Sequence, residues 1–131
     1  MTKTRTVWKE KQRFKSYLDH NEIALDGEKQ KGFGPKSLLL SALAACSGID
    51  IVEILEKMRV SFTNFEIDVA ADQTTKHPKV FKDINIIYKI KTDSSNEKKV
   101  RKAIELSLEK YCGVSAMLKK NSAIHYQLEL S

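Results

Sequence analysis

Residues 34–52 read Gly34-Pro35-Lys36-Ser37-Leu38-Leu39-Leu40-Ser41-Ala42-Leu43-Ala44-Ala45-Cys46-Ser47-Gly48-Ile49-Asp50-Ile51-Val52. Pro35 suits the first position of a helix, because the N–H it lacks would be unpaired there anyway. No breaker other than Gly48 follows before about Arg59. We therefore expect one helix over residues 35–59, about 37 Å long at a rise of about 1.5 Å per residue. Between Leu38 and Ala45 apolar side chains cover nearly its whole circumference, which marks a helix with protein on most sides. A chain of 131 residues has little else with which to cover it alone. Ser41, Ser47 and Asp50 interrupt the apolar run and keep it short of the roughly 18 unbroken residues that mark a membrane span.

Upstream of this helix, Arg5 to Trp8, Arg13 to Leu18 and Glu22 to Leu25 read as short strands, closed by the turn pair Asp26-Gly27. They predict a small antiparallel meander over residues 1–27. Downstream, Phe65, Ile67 and Val69 alternate with acidic neighbours, Ile84, Ile86, Tyr88 and Ile90 alternate with more polar ones, and so do Ile124, Tyr126, Leu128 and Leu130. That period of two predicts three half-buried strands. Between the last two, Val100, Ala103, Ile104, Ser107, Leu108 and Tyr111 share a stripe at helical spacing, predicting an amphipathic helix from Glu97 to Lys110. Cys112-Gly113 interrupts it before a second short stripe at Val114, Met117 and Leu118. The predicted order is βββ-α-ββ-α-α-β, an α+β chain forming a single domain over residues 1–131, with a meander at 1–27, the central helix at 35–59 and a ββααβ segment at 62–131.

With 41% hydrophobic and 31% charged residues and no biased tract, the chain reads as globular. Its N-terminus leads into Val7-Trp8-Lys9-Glu10 without the apolar core of a secretory signal, so the expected location is the cytoplasm. Thiols stay reduced there, and two cysteines are more readily core thiols or a functional pair than a structural disulfide. The formal net charge is +6, yet Lys3, Arg5, Lys9, Lys11, Arg13 and Lys15 nearly alternate, as on a strand face turned to solvent. Neither a glycine clamp nor an aromatic sheet pair accompanies them, which argues against an RNA-binding domain. Neither nucleic acid nor a membrane is an expected partner. His20, His77 and His125 lack ligand spacing, so no metal is expected, and no cofactor motif is present. Gly32-Phe33-Gly34 precedes a helix N-terminus but lacks the rest of a phosphate loop.

Cys46, Asp50, Glu53 and Lys57 fall on one face of the central helix, a polar seam on an otherwise apolar rod. Either the seam faces solvent with Cys46 a small hydrophobe at its edge, or it surrounds a reactive thiol. An ordinary thiol is only ~3% ionised at pH 7, and lowering its pKa by about two units raises that about 20-fold. Asp50 and Glu53 act in the wrong direction, so a reactive Cys46 needs a cation, for which Arg5, Arg13 and Lys36 are the candidates. Cys112 stands at a helix junction, where the N–H groups of the following turn would lower its pKa. Taken alone it reads better as a buried structural thiol, and its spacing from Cys46 carries no pairing.

The stretch Gly34 to Val52, together with Lys110-Tyr111-Cys112-Gly113-Val114-Ser115, resembles the two signatures of the osmotically inducible protein C / organic hydroperoxide resistance (OsmC/Ohr) family. The likeness runs from Trp8 through Asp26-Gly27 to the last strand, and Ile49-Asp50-Ile51-Val52 resembles the less characterised OsmC-like branch. This resemblance implies antiparallel sheets around a long buried helix, in an intertwined homodimer whose central helices lie back to back. It implies that Cys46 attacks the O–O bond of an organic hydroperoxide and that Cys112 closes a disulfide, reopened by a dithiol such as dihydrolipoamide. Arg13, chosen as the matching arginine, and Asp50 and Glu53 of the polar seam are the remaining expected catalytic residues, while Leu39, Leu43 and Lys36 are expected to wall the substrate pocket. Lys36 stands where the better-studied peroxidases carry a glutamate. From a different class, a chain of this fold could be a non-catalytic binding protein for a small hydrophobic ligand at the dimer interface.

An apolar helix too long for one subunit predicts an obligate homodimer, whose interface would bury over ~2,000 Å². Light scattering at micromolar concentration should return the mass of two chains, and a stable monomer would refute the expectation.

Overall fold

A computed structural model describes all 131 residues. In chain order it contains β1 (Arg5–Glu10), β2 (Arg13–Leu18), β3 (Asn21–Asp26), α1 (Pro35–Lys57), β4 (Thr63–Gln73), β5 (Phe81–Lys91), α2 (Glu97–Leu106), α3 (Gly113–Leu118) and β6 (Ala123–Leu130). The chain condenses into two compact units, Met1–Leu40 and Ser41–Ser131, where the sequence pattern reads as one domain. Helix α1 begins in the first unit and continues into the second.

In the first unit β1, β2 and β3 form the expected antiparallel meander, with Phe14 opposite Trp8 on one side and Leu25 on the other. Its closing turn is organised by Asp26, which is buried. One carboxylate oxygen accepts the N–H of Glu28 at 2.9 Å, and the other accepts those of Gln30 at 3.2 Å and Lys31 at 2.9 Å. The Arg13 guanidinium lies 3.7 Å away. The backbone N–H of Lys31, then that of Glu28, hold the Asp26 carboxyl below the usual carboxylate range, against the opposing effect of burial. The chain then returns to β3, where Phe33 donates to Ala24 O at 3.3 Å and its carbonyl accepts from Asp26 at 2.9 Å. A Cβ on Gly32 would sit 2.6 Å from the Ala24 carbonyl oxygen. Glycine at 32 therefore serves this close approach of two backbones.

In the second unit β5 is the middle strand of the order β4-β5-β6. Ile84, Ile86, Tyr88 and Ile90 are all buried, as their period of two predicts. With Leu43, Ile51 and Leu55 of α1 and Val100, Ala103 and Ile104 of α2 they make the core of this unit. The resemblance implies antiparallel sheets; β4 and β5 comply, but β5 and β6 run parallel, with Ile84 opposite Ile124 and Ile90 opposite Leu130. A parallel neighbour needs a long crossover, and the helical segment between the two strands provides it.

The helix boundaries differ from the pattern at two places. Helix α1 stops at Lys57, because Arg59 takes a left-handed conformation (φ 58°) and the Val60 N–H turns back to Leu55 O at 2.9 Å, a closing hydrogen bond of the Schellman type. The second helix is regular only to Leu106 and then widens into a π-helical turn, Ser107–Tyr111, closed by Cys112 N–H on Ser107 O at 2.7 Å. The wider turn rotates the stripe, so Tyr111, placed by its spacing on the buried face, is 54% exposed.

Only one stripe of α1, namely Leu43, Ser47, Gly48, Ile51 and Leu55, is fully buried. Leu39 and Ile49 are exposed, Ile49 by 61%. By length and composition alone this helix could cross a membrane, but its inward stripe meets protein. A Cβ on Gly48, for example, would approach the Ile67 side chain to 3.0 Å. Beside that stripe Ser41, Ala44, Ala45, Gly48, Ile49, Val52 and Glu53, together with Phe65 and Ile67, line an open groove of about 650 Å³. A single chain thus leaves an apolar face of its central helix uncovered.

Because the folded Asp26 carboxyl ionises below its unfolded value of about 3.9, its contribution to stability is complete above that pH and is lost as acid protonates it. Asp26→Asn should lower the Tm at pH 7 and flatten the acid limb of the stability profile below about pH 4. Identical acid limbs in the two proteins would contradict this role.

Candidate functional site: a thiol pair beside a buried hydroxyl chain

The apolar sequence of α1 carries few polar groups, and the fold gives two of them buried partners. Ser47, fully buried, lies 2.7 Å from the Tyr88 hydroxyl of β5 and 3.0 Å from the Ser107 hydroxyl. Ser107 in turn donates to the Asp50 carboxylate at 3.0 Å. A carboxylate offers no proton, so the single Ser107 proton goes to Asp50, which leaves Ser47 as donor to Ser107 and Tyr88 as donor to Ser47. The four groups form one directed chain, and no buried side-chain N or O in the structure lacks a partner. Burial pushes the Tyr88 phenol up to about 12, its hydrogen bond with Ser47 pulling the other way, so it stays protonated across the physiological range.

Beside this chain the two cysteines, far apart in sequence, come together as free thiols. Cys46 is half-buried on α1, whereas Cys112 is only 3% exposed. Cys112 caps α3: its sulfur accepts the Ser115 N–H at 3.3 Å, and its carbonyl takes the Ala116 N–H at 3.1 Å. The capping bond acts in the direction expected from a helix junction, but the net effect is the opposite. Burial pushes the Cys112 thiol up, the Ser115 N–H only partly offsets this, and the neighbouring Cys46 thiol, a hydrogen-bond partner, raises it further. The expectation of a lowered Cys112 pKa is therefore corrected, because desolvation of the thiolate outweighs one capping N–H.

The polar seam of α1 separates into parts. Cys46 meets Cys112 and Asp50 meets Ser107, while Glu53 and Lys57 are exposed. Asp50, Glu53 and Lys57 share a cleft of about 480 Å³ with Ile54, Met58, Leu106 and Tyr111. Arg13 is held in its own sheet by Glu10 at 2.9 Å and by Asp26. Of the expected pocket walls, Leu43 has no exposed surface and belongs to the core, a correction that follows from its place on the inward stripe. Leu39 is exposed, and Lys36 lies half-buried in the first turn of α1. Sequence reasoning passed over Ser47, Tyr88 and Ser107 as site residues. Their signal was present in each case as a hydroxyl on an otherwise apolar stripe, which must find a partner once buried.

A model of the family described as OsmC-like protein matches residues 27–127. The chain belongs to the OsmC-like family. Protein YhfA of Escherichia coli strain K12 is 32% identical over 111 residues, 84% of this chain and 83% of that protein. A crystal structure of a hypothetical protein from Aquifex aeolicus VF5 superposes with a TM-score of 0.85 at 30% identity, covering 100% of this chain and 98% of the other. The organic hydroperoxide resistance protein OhrB of Bacillus subtilis shares the fold at a TM-score of 0.64 and 17% identity, covering 100% and 98% of the two chains. The OsmC/Ohr fold expected from the two signatures is thus the observed one.

Burial and its raised pKa both slow the reaction of Cys112. Iodoacetamide at pH 7 should label Cys46 at least about tenfold faster than Cys112 in the folded protein, the two rates converging in denaturant. Faster labelling of Cys112 would contradict the geometry.

Proposed function

We propose that this chain is a thiol-dependent peroxidase that reduces organic hydroperoxides in defence against oxidative stress, acting as a cytoplasmic homodimer. The observation that carries the reading is a pair of neighbouring free thiols of unequal access, Cys46 half-buried and Cys112 buried. The Cys46 thiolate attacks the distal oxygen of ROOH, the O–O bond breaks, and RO⁻ takes a proton to leave as ROH, with Cys46 now a sulfenic acid. The Cys112 sulfur attacks the Cys46 sulfur, the S–O bond breaks, and hydroxide leaves as water with the Cys112 proton. A dithiol reductant of the lipoyl type then opens the disulfide, restoring two thiols and departing as its own disulfide. Arg13, Asp50 and Glu53 are the proposed charged neighbours, with Leu39 and Lys36 at the substrate side, and the open groove along α1 is where a second copy would lie.

The groove also favours a second reading. Its lining is almost wholly apolar, which suits a non-catalytic binding protein for a small hydrophobic ligand.

The rates of Cys46 oxidation separate the two. Each buried methylene of a substrate adds about 0.8 kcal/mol of binding, so cumene hydroperoxide should react at least about tenfold faster than hydrogen peroxide after ordering losses. Turnover should vanish in Cys46→Ser. Equal constants no greater than those of a free thiol would favour the binding protein.

A further inference from the structure

We propose that Ser107 is the positioning residue that holds Cys112 against Cys46, setting the rate at which the disulfide closes; this rests on the reading of the two thiols as a redox pair. Ser107 is fully buried and joined to both thiol-bearing segments at once. Its hydroxyl reaches α1 at Asp50 Oδ2 and at Ser47 Oγ, each 3.0 Å away, and Ser47 directly follows Cys46 in the chain. Its carbonyl accepts the Cys112 N–H at 2.7 Å across the π-helical turn. In a regular α-helix that N–H would instead bond Leu108 O, but here the Ser115 hydroxyl takes Leu108 O at 3.1 Å, with the Lys119 ammonium on the same oxygen. The widened turn thus lets one serine tie the Cys112 backbone to the helix that carries Cys46. The clamp lies in the buried interior, where an unmade hydrogen bond is costly, so it resists opening.

The step it serves is the attack of Cys112 sulfur on the Cys46 sulfenic acid, which forms S–S, breaks S–O and releases water. Such an intramolecular reaction depends steeply on how well the two sulfurs are held. The burial of Cys112 makes this holding more consequential, since its raised pKa keeps the attacking thiolate scarce.

The test uses the full chain as wild type, Ser107→Ala, Ser107→Thr and Ser47→Ala. After cumene hydroperoxide is added, disulfide closure should slow at least about tenfold in Ser107→Ala, by a larger factor than any change in Cys46 oxidation measured in the same variant. Sulfenic acid, trapped by dimedone, should accumulate in that variant, and its dithiol–disulfide equilibrium against oxidised glutathione should shift towards the dithiol. Ser107→Thr, which keeps the hydroxyl, should recover most of the closure rate. Ser47→Ala removes one of the two α1 side-chain contacts of the Ser107 hydroxyl, leaving Asp50, and should slow closure in the same direction by a smaller factor, so the claim stays testable if Ser107→Ala does not fold. Closure at wild-type rate in folded Ser107→Ala or Ser47→Ala overturns the positioning role. A wild type that forms no internal disulfide with either oxidant overturns the thiol pair itself, and this proposal with it.

Discussion

A hydroxyl buried without a partner costs on the order of 1–3 kcal/mol, and three of them meet where α1 crosses the interior of the second unit. Ser47, Tyr88 and Ser107 satisfy one another in a chain that ends on the Asp50 carboxylate. The burial of Leu43, Ile51 and Leu55 on the same helix favours the interior without setting a direction. Hydrogen bonds are directional, and a slide of the helix would break several of them at once. This polar chain therefore fixes how α1 lies against β5 and against the π-helical turn, and with it the place of Cys46 relative to Cys112.

The order of elements was legible because it rests on periodicity. Alternation through Ile84, Ile86, Tyr88 and Ile90 and the inward stripe of α1 express burial directly, and burial is what periodicity reports. Two features were not legible. The parallel pairing of β5 with β6 depends on the path of the crossover, which leaves no mark in either strand. The π-helical turn at Ser107–Tyr111 inserts a residue into the stripe, and a window of fixed period reads through it, which is how Tyr111 came to be assigned to the wrong face.

The site was legible in outline and hidden in detail. Cys46 and Cys112 could be paired only through the family signatures, because their spacing says nothing and their meeting depends on tertiary structure. The sign of the Cys112 shift was hidden as well, since a helix N-terminus and a desolvated pocket act in opposite directions and only the degree of burial decides between them. Leu43 illustrates the same difficulty, because an apolar residue on a helix can wall a pocket or fill a core, and its own sequence context is identical in either case. Ser107 sat on the predicted apolar stripe, where a hydroxyl at a core position was itself the clue that a buried polar partner had to exist.

The proposed function rests on the buried Cys112 thiol lying beside the more accessible Cys46. The most direct measurement is the intact mass of the wild-type protein, digested without reduction, after one equivalent of cumene hydroperoxide. The account predicts the loss of two hydrogens within one chain and a crosslinked peptide pair holding Cys46 and Cys112. A chain that gains one oxygen and keeps Cys112 as a free thiol, or that joins Cys46 to another molecule instead, would contradict it.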